Sequence, residues 1–259
     1  MGRMVQVLEG IGFRMIDTYQ YEGYGTPSFF VYAQKPMETY LDVSALETDI
    51  AIGTFTNTTK YLNSLWTSAN LYIPHIPFIT RIAGGSIAEN MALLRESFIE
   101  SGKRYWAFLD HDIQFLSRDT IKNALSVLIS NKCGAVTVYQ KKSKLAITET
   151  YDSKGIESHL IEWLCGHLIL VDSWKVGKIE IDNKLPTNGF VDISYSLDIR
   201  KSGYEMFIAP EYIYHVDKVS SGKEQEATTN DYEISNKYFH DKLGDFYDKF
   251  AKPINVTIE

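Results

Sequence analysis

The chain has 259 residues, 44% of them hydrophobic and 13% aromatic, so it can bury a full core and suits one large domain or one domain with additions. A formal net charge of −7 argues against a nucleic-acid backbone or an anionic membrane surface as its partner. No apolar stretch approaches the roughly 20 residues of a membrane span, and the N-terminus lacks a signal-peptide core. Cys133 and Cys165 are the only cysteines. Both fall in apolar runs, so they are expected to be reduced core thiols of a cytoplasmic protein rather than a disulfide framework or a zinc site.

Residues 1–37 read as a separate accessory segment: the end of a helix over 5–12, then strands over 13–19 and 28–33 joined through Gly23, Gly25 and Pro27. This pattern resembles the last helix and β-hairpin of an S-adenosylmethionine-dependent methyltransferase. No glycine-rich cofactor loop precedes it, so methyl transfer is not inferred. Pro36 to Leu46 read as a linker, and a main domain is expected over 46–217.

That domain opens with a short strand, Asp49 to Asn57, ending in the small polar residues Thr54, Thr56 and Asn57. A helix over 59–70 and a strand over 79–82 follow, the latter holding Arg81. Ser86 and Glu89 then form a Ser-x-x-Glu capping box. Ile87, Met91, Leu94 and Phe98 repeat at helical spacing until Gly102 stops the helix.

The most informative stretch comes next: Tyr105-Trp106-Ala107-Phe108-Leu109 running into Asp110-His111-Asp112. Five apolar residues in a row read as a strand buried on both faces of a parallel sheet. Two aspartates at its end are hard oxygen donors at the carboxyl edge, where open α/β sheets bind ligands. Divalent metal plus phosphate is the natural reading; two aspartates capping a turn is the bland one.

Beyond it, Ser117 is the expected N-cap of a helix to about 131, and Ala135 to Tyr139 a strand. Strand and helix alternate through this half, which predicts right-handed parallel crossovers. A long strand over 162–171, a helix over 192–202 ended by Gly203, and short strands at 206–210 and 212–216 follow. Residues 218–230 are polar and read as mobile, with a final amphipathic helix over 231–250.

From about residue 49 to 216 the chain resembles a glycosyltransferase of the GT-A fold, near the large family 2. Three landmarks carry the resemblance, in the family's order: Thr54 to Asn57 after the opening strand; Asp110-His111-Asp112; and Gly189-Phe190-Val191-Asp192 followed by Ile199-Arg200-Lys201-Ser202-Gly203-Tyr204 and Pro210 to His215. Val191 stands where the family usually has a first acid, Asp198 where an arginine is common, and no Gln-x-x-Arg-Trp signature occurs. The expected fold is α/β, a mixed, mainly parallel sheet flanked by helices.

The resemblance implies roles. Asp112 binds Mn²⁺ or Mg²⁺ directly, while Asp110 contacts ribose or bridges to the metal through water, and His215 is a third ligand or phosphate contact. Thr54, Thr56, Asn57 and Asp110 hold a UDP- or GDP-sugar. Asp192 is the general base toward a glycan or other hydroxyl acceptor, with a helix N-cap as its structural alternative. Arg81 is placed to face a phosphate, with surface or core pairing equally open for it, Asn90 and Arg95. His167 reads as a satisfied core histidine, and His111 as pointing away from the metal. Trp163 and Tyr195 favour core packing over acceptor stacking. Lys218 and Lys223 lie on the polar segment, as a closing loop or a solvated one. Two other classes compete: a haloacid-dehalogenase-like phosphatase, weakened by Gln114 where that family wants Thr or Val, and a non-catalytic sugar- or nucleotide-binding module of the same fold. A nucleotidyltransferase is weakened by the lack of an arginine-containing glycine-rich N-terminal loop.

Overall fold

The computed structural model of the chain describes residues 14–23, 26–34, 44–56, 61–82, 86–141, 158–186, 190–215 and 229–250. Strands β1 (Arg14–Gly23) and β2 (Thr26–Gln34) pair antiparallel in a sheet of their own. They are the two expected N-terminal strands, each longer than periodicity marked. The helix expected before them lies outside the described residues.

A 3-10 turn (Ser44–Asp49) leads into β3 (Ile50–Thr56), α1 (Leu62–Tyr72), β4 (Phe78–Ile82), α2 (Ile87–Ser101) and β5 (Tyr105–Leu109). Then come β6 (Ile113–Phe115), α3 (Thr120–Ser130), β7 (Ala135–Lys141), β8 (His159–Leu160), β9 (Leu168–Asp172) and the short α4 (Ser173–Val176). The described chain finishes with α5 (Val191–Lys201), β10 (Met206–His215), α6 (Thr229–Leu243) and α7 (Asp245–Phe250).

The large sheet has the order β4-β3-β5-β9-β7-β10-β6, with β8 also on β10. β3, β4, β5, β7 and β10 run one way; β6, β8 and β9 oppose them. This is the mixed, mostly parallel α/β architecture expected from the sequence. One neighbour relation differs: β5 is parallel to β3 but antiparallel to β9. An unbroken apolar run reports burial on both faces and carries no information on strand direction.

All five residues of β5 are buried, and their alternation explains it. Tyr105, Ala107 and Leu109 join the core under α1 and α3, with Ile121, Leu125 and Leu168. Trp106 and Phe108 face the other way, onto Met91, Leu94 and Phe98 of α2 and Tyr195 of α5. Each such side chain removed from water is worth about 1.5–3 kcal/mol, so β5 and its neighbours form the rigid platform of the molecule.

The expected helix signals hold at α2. Ser86 Oγ accepts from Glu89 N at 3.1 Å, Glu89 Oε2 accepts from Ser86 N at 2.7 Å, and Gly102 ends the helix in the left-handed region at φ 66°. Elsewhere they shift. Ser117 accepts from Asp119 N in a turn ahead of α3 instead of capping it. The C-terminal helix breaks at Gly244, φ 53°, into α6 and α7. The long strand expected over 162–171 shrinks to β9, because residues 161–167 turn before entering the sheet. Cys165 is therefore exposed rather than a core thiol, while Cys133 is buried. Lys242 of α6 donates to Asp182 (2.9 Å) and Asp198 (2.8 Å), which pins α6 beside α5.

Gly53 in β3 has no space for a side chain: a Cβ would lie 2.6 Å from Leu94 Cδ1 and 2.8 Å from the Ile79 carbonyl oxygen. Gly53→Ala is therefore expected to cost about 1–3 kcal/mol through overpacking, read as a lower urea midpoint at unchanged slope. A midpoint equal to that of the unsubstituted protein would contradict this packing.

Candidate active site

β5 ends at Leu109, and the chain turns through Asp110, His111 and Asp112 into β6. β6 is short, but it lies antiparallel along the end of β10, with Ile113 opposite His215. Ser68 Oγ of α1 holds it from the other side, accepting from Phe115 N at 3.1 Å. This pairing carries His215 to the aspartates: its Nε2 is 3.3 Å from Asp112 Oδ1. Asp110, Asp112 and His215 each offer a ligand atom, and these lie within 4.8 Å of one another.

Asp112 is fully buried, and neither of its carboxylate oxygens has a hydrogen-bond partner among the described residues. A buried charge left so costs several kcal/mol unless a counter-charge meets it. Two carboxylates and an imidazole form an oxygen-and-nitrogen donor set that suits Mn²⁺ or Mg²⁺. The residues present therefore fit the expected metal.

Asp110 is partly exposed at the mouth of the cluster. Its carboxyl is pushed up to about 8, first by burial and then by the negative charges of Asp112 and Asp192. Asp192 lies in the first turn of α5. It is not the N-cap, the structural alternative weighed for it: Phe190 holds that place, in a left-handed conformation at φ 68°. Burial raises the Asp192 carboxyl, and backbone N–H groups of Ile193 (2.9 Å, to Oδ1) and Gly166 (3.1 Å, to Oδ2) work against that rise. The helix N-terminus also favours a carboxylate there.

The element that sequence reasoning missed is the turn Leu164–His167 between Asp110 and Asp192. It is fastened on three sides. Leu164 N donates to Ser196 Oγ of α5 at 2.9 Å, and Ser196 Oγ donates to the Asp192 carbonyl at 2.6 Å. Thr137 Oγ1 of β7 donates to the Cys165 carbonyl at 3.4 Å, and Asp110 N to the His167 carbonyl at 3.4 Å. A glycine inside an apparent strand was the available signal, since it often marks a bend or a close approach.

Other residues fall as follows. Thr54 is buried and donates its hydroxyl to the Leu109 carbonyl at 2.9 Å, bracing β3 on β5. Thr56 ends β3, and Asn57 lies outside the described residues, as do Lys218 and Lys223. Arg81 is exposed on β4, its Nε donating to Ser97 Oγ of α2 at 2.7 Å. Asn90 Nδ2 donates to the Ser86 carbonyl and Arg95 to the Gly177 carbonyl. His167 is the core histidine expected, with Nε2 2.7 Å from the Val138 carbonyl, and burial pushes it down to about 4. His111 stays out of the three-residue cluster, its ring 6.0 Å from that of Tyr61. Tyr195 packs in the core, and Trp163, half-buried, packs against the small cluster of Leu197, Phe239, Leu243 and Tyr247. A cavity of about 720 Å³ between the 175–184 segment, α5 and α6 contains none of Asp110, Asp112, Asp192 or His215. Among the described residues no helix is long and apolar enough to cross a membrane.

No protein-family model and no curated protein matches the sequence. Solved structures do. GalNAc-T7 with UDP, GalNAc and Mn²⁺ superposes at a TM-score of 0.53 with 9% identity, covering 78% of this chain and 49% of that one. S. aureus TarS superposes at 0.52 with 11% identity, covering 75% of this chain and 39% of that one. Its 1–349 portion in complex with UDP-GlcNAc gives 0.52 and 12%, covering 75% and 66%. The chain thus spans half or less of GalNAc-T7 and of the longer TarS structure. At these identities the likeness defines the fold alone, and that fold is the GT-A type of glycosyltransferases.

Replacing Asp112 by Asn removes a fully buried carboxylate and one of the three groups placed to hold a metal ion. Asp112→Asn is expected to melt at a higher temperature than the unsubstituted protein in a chelator, and to lose the upward shift that Mn²⁺ gives the latter. Thermal scans of both proteins with and without Mn²⁺ check this. An undiminished Mn²⁺ shift in the variant would overturn the ligand set.

Proposed function

We propose that this chain is a metal-dependent glycosyltransferase, moving a sugar from a nucleotide-sugar donor to a hydroxyl acceptor with inversion. The carrying observation is Asp112, fully buried with no hydrogen-bond donor to either carboxylate oxygen among the described residues, beside Asp110 and His215 at the carboxyl edge of a GT-A sheet. The TarS complex with UDP-GlcNAc and the GalNAc-T7 complex with UDP, GalNAc and Mn²⁺ support a UDP-sugar as the first donor to try, with GDP-sugars beside it. The order of Asp-x-Asp, Asp192 and His215 resembles family 2.

Asp110, Asp112 and His215 would hold Mn²⁺ or Mg²⁺, which neutralises the diphosphate as it leaves. Asp192 accepts the proton of the acceptor hydroxyl while that oxygen bonds to the anomeric carbon and the carbon–oxygen bond to the diphosphate breaks. Its raised pKa, set by burial, suits a group that must take a proton at the moment of attack. The buried side chain of Val191 faces the core with Tyr195, which leaves Asp192 as the base on that turn.

Asp192→Asn is expected to lower transfer roughly 10²- to 10⁴-fold, the usual worth of general base catalysis. Nucleotide affinity should be unchanged, because the base addresses the acceptor. NMR of the first product is expected to show inverted anomeric configuration; retention would refute the role of Asp192. Residues 1–37 are proposed to be dispensable. A protein lacking residues 1–40 should bind UDP with Mn²⁺ as the full chain does in calorimetry, and loss of binding by a folded truncation would make the hairpin part of the site.

A further inference from the structure

The cavity between the 175–184 segment, α5 and α6 holds about 720 Å³ and shares no residue with the cluster of Asp110, Asp112 and His215 or with Asp192. Small-molecule pockets typically hold about 300–1,000 Å³. Lys175, Lys178, Lys184, Lys201 and Lys242 line it, and no arginine does. Its acids are Glu180, Asp182 and Asp198. In a chain of net charge −7, this gathering of cations runs against the average of the molecule.

Two of the five lysines have work within the fold. Lys242 Nζ donates to Asp182 at 2.9 Å and Asp198 at 2.8 Å; burial opposes its charge, and these hydrogen bonds outweigh that. Tyr238 also donates to Asp182, at 2.8 Å. Two of the three acids are therefore already engaged, and only Glu180 remains to offset the other lysines. Lys175 Nζ donates to the Cys133 carbonyl at 2.8 Å and lies 3.9 Å from Asp172 Oδ2.

The other three are exposed, and among the described residues their ammonium groups meet neither a carboxylate nor another acceptor. Lys201 stands in the last turn of α5, where a cation suits the helix C-terminus. Lys178 and Lys184 lie in turns outside any helix or strand, so no helix end accounts for them. An ammonium group is a compact point charge and a common phosphate binder, whereas the arginine fork is the better match for a planar carboxylate. A wall with lysines alone, spread around a space of this size, suits an anion whose charges are also spread, over more than one phosphate oxygen.

We propose that this cavity is a second ligand site, which takes a small phosphate compound of two or more negative charges. Its ammonium donors are Lys178, Lys184 and Lys201, and the Lys242 network with Asp182 and Asp198 is its rigid floor. An occupant would bridge the 175–184 segment to the last turn of α5, and so stabilise the folded chain. The site needs no metal and does not rest on the glycosyltransferase reading.

The test uses the full chain in EDTA, which removes metal-assisted binding at Asp110, Asp112 and His215, and about 0.15 M salt, which screens loose surface attraction. Pyrophosphate and citrate are titrated by calorimetry and in thermal scans. Pyrophosphate is expected to bind and to raise the melting temperature by a few degrees. Lys178→Gln/Lys184→Gln is expected to weaken it about tenfold or more, and Lys201→Gln alone by a smaller factor, as charge-assisted contacts are lost. Neither substitution should change melting without ligand, because these side chains have no partner to lose. Lys122→Gln/Lys132→Gln removes equal charge elsewhere and should leave pyrophosphate affinity within about twofold. No pyrophosphate binding by the unsubstituted protein, or an equal loss in the Lys122 and Lys132 variant, overturns the site. Citrate binding as tightly as pyrophosphate overturns the phosphate assignment. None of these outcomes bears on nucleotide-sugar binding with Mn²⁺, so the two readings fail separately.

Discussion

Asp112 brings a carboxylate to a place where no water reaches it and no described group donates a hydrogen bond to it. A fold of modest stability does not carry such a charge idly, since single uncompensated buried charges cost a large part of a typical 5–15 kcal/mol of stability. Asp110 and Asp192 add two more carboxylates to the same locality, where burial first, and then the negative charges of Asp112 and Asp192, push Asp110 up to about 8. Unit charges about 4 Å apart repel by about 4 kcal/mol at an effective dielectric of about 20. This locality is thus destabilised by construction, and a divalent cation is the simplest species that converts that repulsion into attraction.

The rest of the architecture keeps those charges in place against their repulsion. β5 is buried on both faces, so its end does not yield. β6 is held between Ser68 of α1 and the end of β10, which fixes the strand that directly follows Asp112. On the other side, Asp192 is fixed by the N-terminal turn of α5 and by the Leu164–His167 turn. Phe190 in a left-handed conformation marks backbone strain at the entrance to that helix, a feature that concentrates at functional sites.

Two layers of core share this work unequally. The layer under α1 and α3 sets the sheet, while the layer under α2 and α5 also sets the position of Asp192, because Tyr195 and Val191 are anchored there on the same helix. Fixing α5 from behind is the task of α6, through Phe239 packed near Leu197 and Lys242 set between Asp182 and Asp198. The Asp182 carboxyl is opposed by burial, yet the hydrogen bonds from Lys242, Tyr238 and the Lys184 N–H outweigh that and hold it below its ordinary range. The C-terminal helix is therefore tied, through α5, to the orientation of Asp192.

By itself the amino-acid sequence determined the features that depend on a short window. The five-residue apolar run gave β5, Ser86, Glu89 and Gly102 bounded α2, and two aspartates were set at a strand end inside an α/β fold. Each rests on local hydrogen bonding or on a side-chain period of 2 or 3.6 residues. The tertiary structure alone decided the direction of β9, because a run buried on both faces reads the same in either direction. It also decided the pairing of β6 with β10 that carries His215 to Asp112, and the bend at Leu164–His167 that exposes Cys165 and sets Gly166 against Asp192. These join segments far apart in the chain, where the choice of partner is made by total burial and loop closure rather than by any window of sequence.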